Sequence, residues 1–166
     1  NPFKYSPLFL EMKKLDIFFN PGVHPQFREI LDYPPQGVKY HYNLSKEDYN
    51  SETTRKKRAL IIKIHKFGIP RMTFVHDAGK YDLIHSTRGI LPLNKKSWIV
   101  DIESGASFSG LNWNNLRNPL MQKIIVKFLS SKYCKKIIPQ SEVATKSLLE
   151  NVDCSSFKDK IETVYL

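Results

Sequence analysis

The 166-residue chain is poor in cysteine, with only Cys134 and Cys154 and no CxxC spacing. Two isolated thiols give neither the disulfide framework of a small secreted domain nor a cysteine metal site, so both read as free thiols in a reducing compartment. Long apolar runs are absent: nothing approaches the roughly 20 residues of a membrane span, and the opening NPFKYSPLFLEMKK lacks the apolar centre of a signal peptide. A soluble, cytoplasmic protein is expected. The five histidines, His24, His41, His65, His76 and His85, fall into no ligand spacing, so no metal site is expected. Neither G-x-x-x-x-G-K-[ST] nor G-x-G-x-x-G occurs, and no cofactor is expected.

Cations, by contrast, are plentiful. Lys and Arg number 26 against 16 for Asp and Glu, for a formal charge of +10. Such a balance suits an anionic partner, whether nucleic acid, lipid headgroups or phosphate-bearing metabolites, although a basic surface without function has the same composition. With 41% hydrophobic residues the chain can close one core and reads as one domain over residues 1–166. It begins at Asn1 and ends in IETVYL, a strand-like segment, which suggests a piece of a longer protein.

Short apolar runs alternate with helix-length segments. Strands are expected at Leu15 to Phe19, Gly37 to Tyr42, Tyr81 to Ser86, Ser97 to Glu103, Lys135 to Pro139 and Ile161 to Leu166. Between Glu52 and Phe67 the spacing becomes helical: Leu60, Ile61, Ile64 and Phe67 share a face, and Arg55, Lys56, Lys57, Arg58, Lys63 and Lys66 crowd the rest. Asn118 followed by Pro119 marks a helix start, with Leu120, Ile124 and Phe128 on one side. Ser141 caps another helix carrying Val143, Ala144 and Leu148. Parallel neighbours need crossovers, so this alternation predicts an α/β, Rossmann-like, mainly parallel sheet with helices on both faces.

In such sheets ligands bind outside the carboxyl ends of the strands. That rule selects Asn20-Pro21-Gly22, Ser86-Thr87-Arg88 and Glu103-Ser104-Gly105. The last group opens GASFSG, which has Ser109 where a nucleophile elbow needs glycine, so serine hydrolysis is not supported. Asp101 and Glu103 are two apart on a strand and project to one side; Glu103, nearer the crevice, is the functional candidate. The basic helix over an apolar stripe suits an anionic membrane surface, and equally a domain helix with solvated lysines. Nucleic acid is the second reading, as a basic α/β module, but no RRM, KH, zinc-finger or helix-turn-helix signature accompanies the charge.

The ordered segments YDLIHSTRG, WIVDIESGASFSG, CKKIIPQSEVATKSLLE and KIETVYL resemble the N-terminal domain of GT-B-fold glycosyltransferases of the group 1, family 4 type, most of all its archaeal members. The likeness covers about Tyr81 to Leu166, and Leu15 to Val23 more loosely. Only Gly22 stands where the family often has paired glycines, and Glu103 stands where many relatives have His. The resemblance implies one half of a GT-B fold: an acceptor-binding domain of an enzyme that transfers a sugar from a nucleotide-sugar donor without a required metal. The donor would be held mainly by a C-terminal domain absent from this chain, so the fragment alone is expected to be inactive. Glu103 would be the catalytic carboxylate. Ser86, Thr87, Arg88, Ser104, Gly105 and Ser107 would line the acceptor side, and Asn20, Pro21 and Gly22 would approach the donor phosphates. A lipid-linked acceptor would place the enzyme peripherally on the inner face of the membrane, with Arg55, Lys56, Lys57, Arg58, Lys63 and Lys66 against anionic headgroups.

Overall fold

The computed structural model describes residues 14–20, 30–42, 60, 63–64 and 66–165. The main sheet holds five parallel strands: β1 (Leu15–Asn20), β2 (Val38–His41), β4 (Leu83–Ser86), β6 (Trp98–Ile102) and β7 (Cys134–Pro139), in the order β2-β1-β4-β6-β7. A second small parallel sheet pairs β3 (Met72–Thr73) with β5 (Leu91–Pro92). The helices of the second half are α1 (Trp113–Leu116), α2 (Pro119–Leu129) and α3 (Glu142–Asn151). The molecule is thus α/β with a parallel sheet and helical crossovers, consistent with a Rossmann-like fold.

Strand alternation sends Trp98, Val100 and Ile102 to one face, where they join Met121, Ile125, Leu129 and Leu148 in a fully apolar cluster. Each such side chain contributes about 1.5–3 kcal/mol by leaving water. The opposite face presents Phe19, Tyr40 and His85, whose rings pack edge to face or tilted.

The helix starts follow from their caps. Asn118 Oδ1 accepts from the N–H groups of Leu120 and Met121, and Ser141 Oγ accepts from Ala144. Gly68 is required beside the first cap: its φ is +81°, and a Cβ there would lie 2.6 Å from Asn118 Oδ1.

Some expectations shift. In α2 the buried stripe is Met121, Ile125 and Leu129, one position beyond Leu120, Ile124 and Phe128; both stripes recur at four-residue spacing, and Leu120 stays half exposed. Val143 faces solvent while Ala144 and Leu148 are buried. The expected last strand shrinks to a parallel bridge from Ile161 to Ile137, extended by Glu162 N–H to Ile137 O and Val164 N–H to Pro139 O. Of the basic helix, Leu60, Lys63, Ile64 and Lys66 are helical, with Leu60 and Phe67 exposed rather than packed. Arg55, Lys56, Lys57, Arg58 and Ile61 lie outside the described residues, as do Pro21 and Gly22.

Candidate functional site

Strand order reverses between β1 and β4, since the chain first steps from β1 to β2 and then builds in the other direction through β4, β6 and β7. In open parallel sheets the carboxyl ends of the strands at such a switch are where ligands bind. Thr87 Oγ1 donates to Asn20 O at 3.0 Å and ties these two ends together. Ser86 Oγ donates to Ile90 O at 2.6 Å and closes the turn that follows β4.

That turn is strained. Arg88 has φ +54° and Gly89 φ +70°. Glycine tolerates this region, but arginine does so at a cost of about 1–3 kcal/mol that the surroundings must offset. Asp101 supplies the restraint: its Oδ1 accepts from Arg88 N–H at 2.9 Å, and its backbone O accepts from Gly89 N–H at 3.0 Å. Gly89 also has no room for a side chain, because a Cβ would sit 2.7 Å from the Ser107 carbonyl carbon.

The turn delivers the Arg88 side chain to Glu103, just past β6, with Nε 3.1 Å from Oε1 and both side chains partly exposed. The approach gives an ion pair but is not aligned as a hydrogen bond, so the Arg88 Nε–H has no hydrogen-bond acceptor. A second cation stands behind: Arg71 Nη1 donates to Arg88 O at 3.1 Å. Burial, and then the charge of Arg88, lower the Arg71 guanidinium below its ordinary value, while Glu103 opposes them. Two arginines and one carboxylate therefore meet past the carboxyl ends of β4 and β6, next to the switch of strand order. The arrangement can grip phosphate oxygens or sugar hydroxyls from one side and accept a proton on the other.

Arg88 meets Glu103, which adjoins Ser104, and Thr87 meets Asn20. The hydroxyls, however, are used internally. Ser107 is buried and its Oγ accepts the N–H groups of Glu103 and Ser104 at 3.3 and 3.2 Å. Gly105 N–H donates to Ser147 Oγ at 2.9 Å, pinning the short 3-10 helix Gly105–Ser109 to α3. Ser86, Thr87, Gly105 and Ser107 thus frame the loops, and Asn20, Arg88, Glu103 and Ser104 are the described members that reach solvent. Arg71 was not selected by sequence reasoning; a lone arginine in IPRMTFV carries no local signal, and only the pairing of β3 with β5 brings it here.

Two recesses lie among the described residues. Beneath the edge, on the aromatic face, a cavity of about 230 Å³ is lined by Tyr40, His85, Asp101, Ile138 and Gln140. His85 Nε2 stands 3.4 Å from Asp101 Oδ2, and neither ring nitrogen makes a hydrogen bond. The larger recess, about 330 Å³, is at the opposite end of the strands among Asp82, Lys95, Lys96, Lys132 and Lys135, remote from the Arg88 turn in the sheet. Among the described residues no helix is long and apolar enough to cross a membrane, and no group of three metal-ligating side chains is assembled. Comparison with known protein families, curated proteins and solved structures finds no match for this chain.

Proposed function

We propose that this chain is the acceptor-side half of a GT-B glycosyltransferase that moves a sugar from a nucleotide-sugar donor to an acceptor hydroxyl. The observation that carries the reading is the Arg88–Glu103 pair, held by a strained turn past the carboxyl ends of β4 and β6, with the Arg88 side-chain Nε–H still lacking an aligned acceptor. Strain kept beside an unsatisfied donor and a carboxylate supports reading this edge as a ligand site.

In the proposed step the acceptor oxygen forms a bond to the anomeric carbon and gives up its proton to Glu103. The bond to the nucleoside diphosphate breaks, and its electron pair leaves with the diphosphate. Arg88 orients the carboxylate and offers its Nε–H to a substrate oxygen. Arg71 adds positive charge where phosphate charge grows. The donor nucleotide is held mainly by a second domain, as the family resemblance implies.

Transfer assays on the protein that carries this domain, across a panel of nucleotide sugars, test the proposal. Glu103→Gln should lower turnover by about 10²-fold or more, the range expected for loss of a general base, with the melting temperature unchanged. Wild-type turnover in that variant, or the absence of transfer from every nucleotide sugar, would overturn it.

A further inference from the structure

Charge is not spread evenly along this chain. The stretch from Thr53 to His76 holds seven cations and no carboxylate, and the stretch from Ser104 to Ser141 holds six and none. The fold joins them: Gly68 abuts the Asn118 side chain, and Arg71 N–H donates to Phe108 O at 2.9 Å.

Large apolar side chains stand exposed in the segments that meet at this junction. Phe67 is 73% exposed, Leu120 50%, Leu111 46% and Trp113 41%. Leu111 is held on a left-handed turn at φ +65°, its N–H donating to Ala106 O, so a bulky side chain adopts an unfavourable conformation and still faces water. Lys63, Lys66, Arg117 and Lys123 are exposed in the same two stretches. Among the described residues none of these four makes an ion pair with a carboxylate.

We infer that this surface, where the end of the basic helix meets the start of α2, docks on an anionic lipid bilayer. Cations unopposed by carboxylates recognise acidic headgroups, while tryptophan, phenylalanine and leucine side chains enter the boundary between headgroup and acyl chain. A nucleic acid would use the charge and could stack on the two rings, but it offers nothing to Leu111 and Leu120. The inference stands apart from the sugar-transfer reading, since it needs neither Glu103 nor Arg88.

Co-sedimentation of the 166-residue chain with vesicles of phosphatidylcholine, with and without phosphatidylglycerol, tests it. Trp98 is fully buried, so of the two tryptophans only Trp113 can report contact with lipid. The chain should pellet with the anionic vesicles alone, and its emission should shift to the blue. The double variant Trp113→Ala, Leu120→Ser, both at exposed positions, should weaken that binding by about tenfold with an unchanged circular dichroism spectrum. Three results would overturn the inference: equal partitioning onto neutral and anionic vesicles, anionic binding with unaltered emission and full affinity in the double variant, or retention by duplex DNA in preference to vesicles.

Discussion

One face of the five-stranded sheet carries Trp98, Val100 and Ile102 beneath α2 and α3, every one buried and apolar; the other carries Phe19, Tyr40, His85 and Asp101, where a histidine and a carboxylate sit among aromatic rings. The first arrangement is what a stable sheet needs and nothing more. The second gives up apolar burial to keep a carboxylate under the Arg88 turn. Asp101 receives Arg88 N–H from above and Gln140 Nε2–H, at 3.3 Å, from the end of β7. Packing on one face therefore stabilises the sheet, and polar bonding on the other aims the edge loops.

That division sorts the expected effects of substitution. Trp98→Ala, in the apolar layer, should cost about 3–5 kcal/mol in urea unfolding, enough to threaten folding at all. Asp101→Ala should cost less, about 1–3 kcal/mol, because it leaves Arg88 N–H without its acceptor. Hydrogen exchange should then accelerate at Arg88 and Gly89 before it does in β6. Equal losses from the two variants would erase the distinction between the faces.

The apolar face also holds both thiols. Burial pushes Cys134 up to about 12 and Cys154 up to about 11, against an ordinary value of 9.0. A raised value in the folded state means stability that is complete below pH 9 and declines as pH climbs toward 11–12, by about 1.4 kcal/mol per pH unit for each thiol at most. The urea midpoint should fall accordingly above pH 9, and Cys134→Val with Cys154→Val should flatten the slope. The smallest effect belongs to His85→Phe. Both ring nitrogens lack hydrogen bonds, so an aromatic of similar shape should stay within about 1 kcal/mol of the parent. A larger loss would show that the 3.4 Å approach to Asp101 contributes more than its geometry implies.

Strands β1, β4, β6 and β7 were legible because each is an apolar run ended by a turn signal, and the caps Asn118 and Ser141 fixed the helix starts. Two-residue strands such as β3 and β5 have no periodicity to read, and Leu120 against Met121 could not be decided where two apolar stripes run side by side. In the site, proximity to strand ends pointed to Glu103 and Arg88. It could not show that the serine and threonine hydroxyls turn inward, since that depends on which backbone groups the loops leave unpaired. Nor could it find Arg71, whose place depends on a contact with β5 across the chain.

Under the proposed function, ligand is expected at the carboxyl edge of β4 and β6. Backbone amide shift mapping of the 166-residue chain, titrated with nucleotide sugars and simple glycoside acceptors, addresses it most directly. Perturbations should concentrate at Arg88, Gly89, Glu103 and Ser104. Shifts gathered instead around Lys95 and Lys132 at the opposite edge, with the Arg88 turn silent, would contradict it.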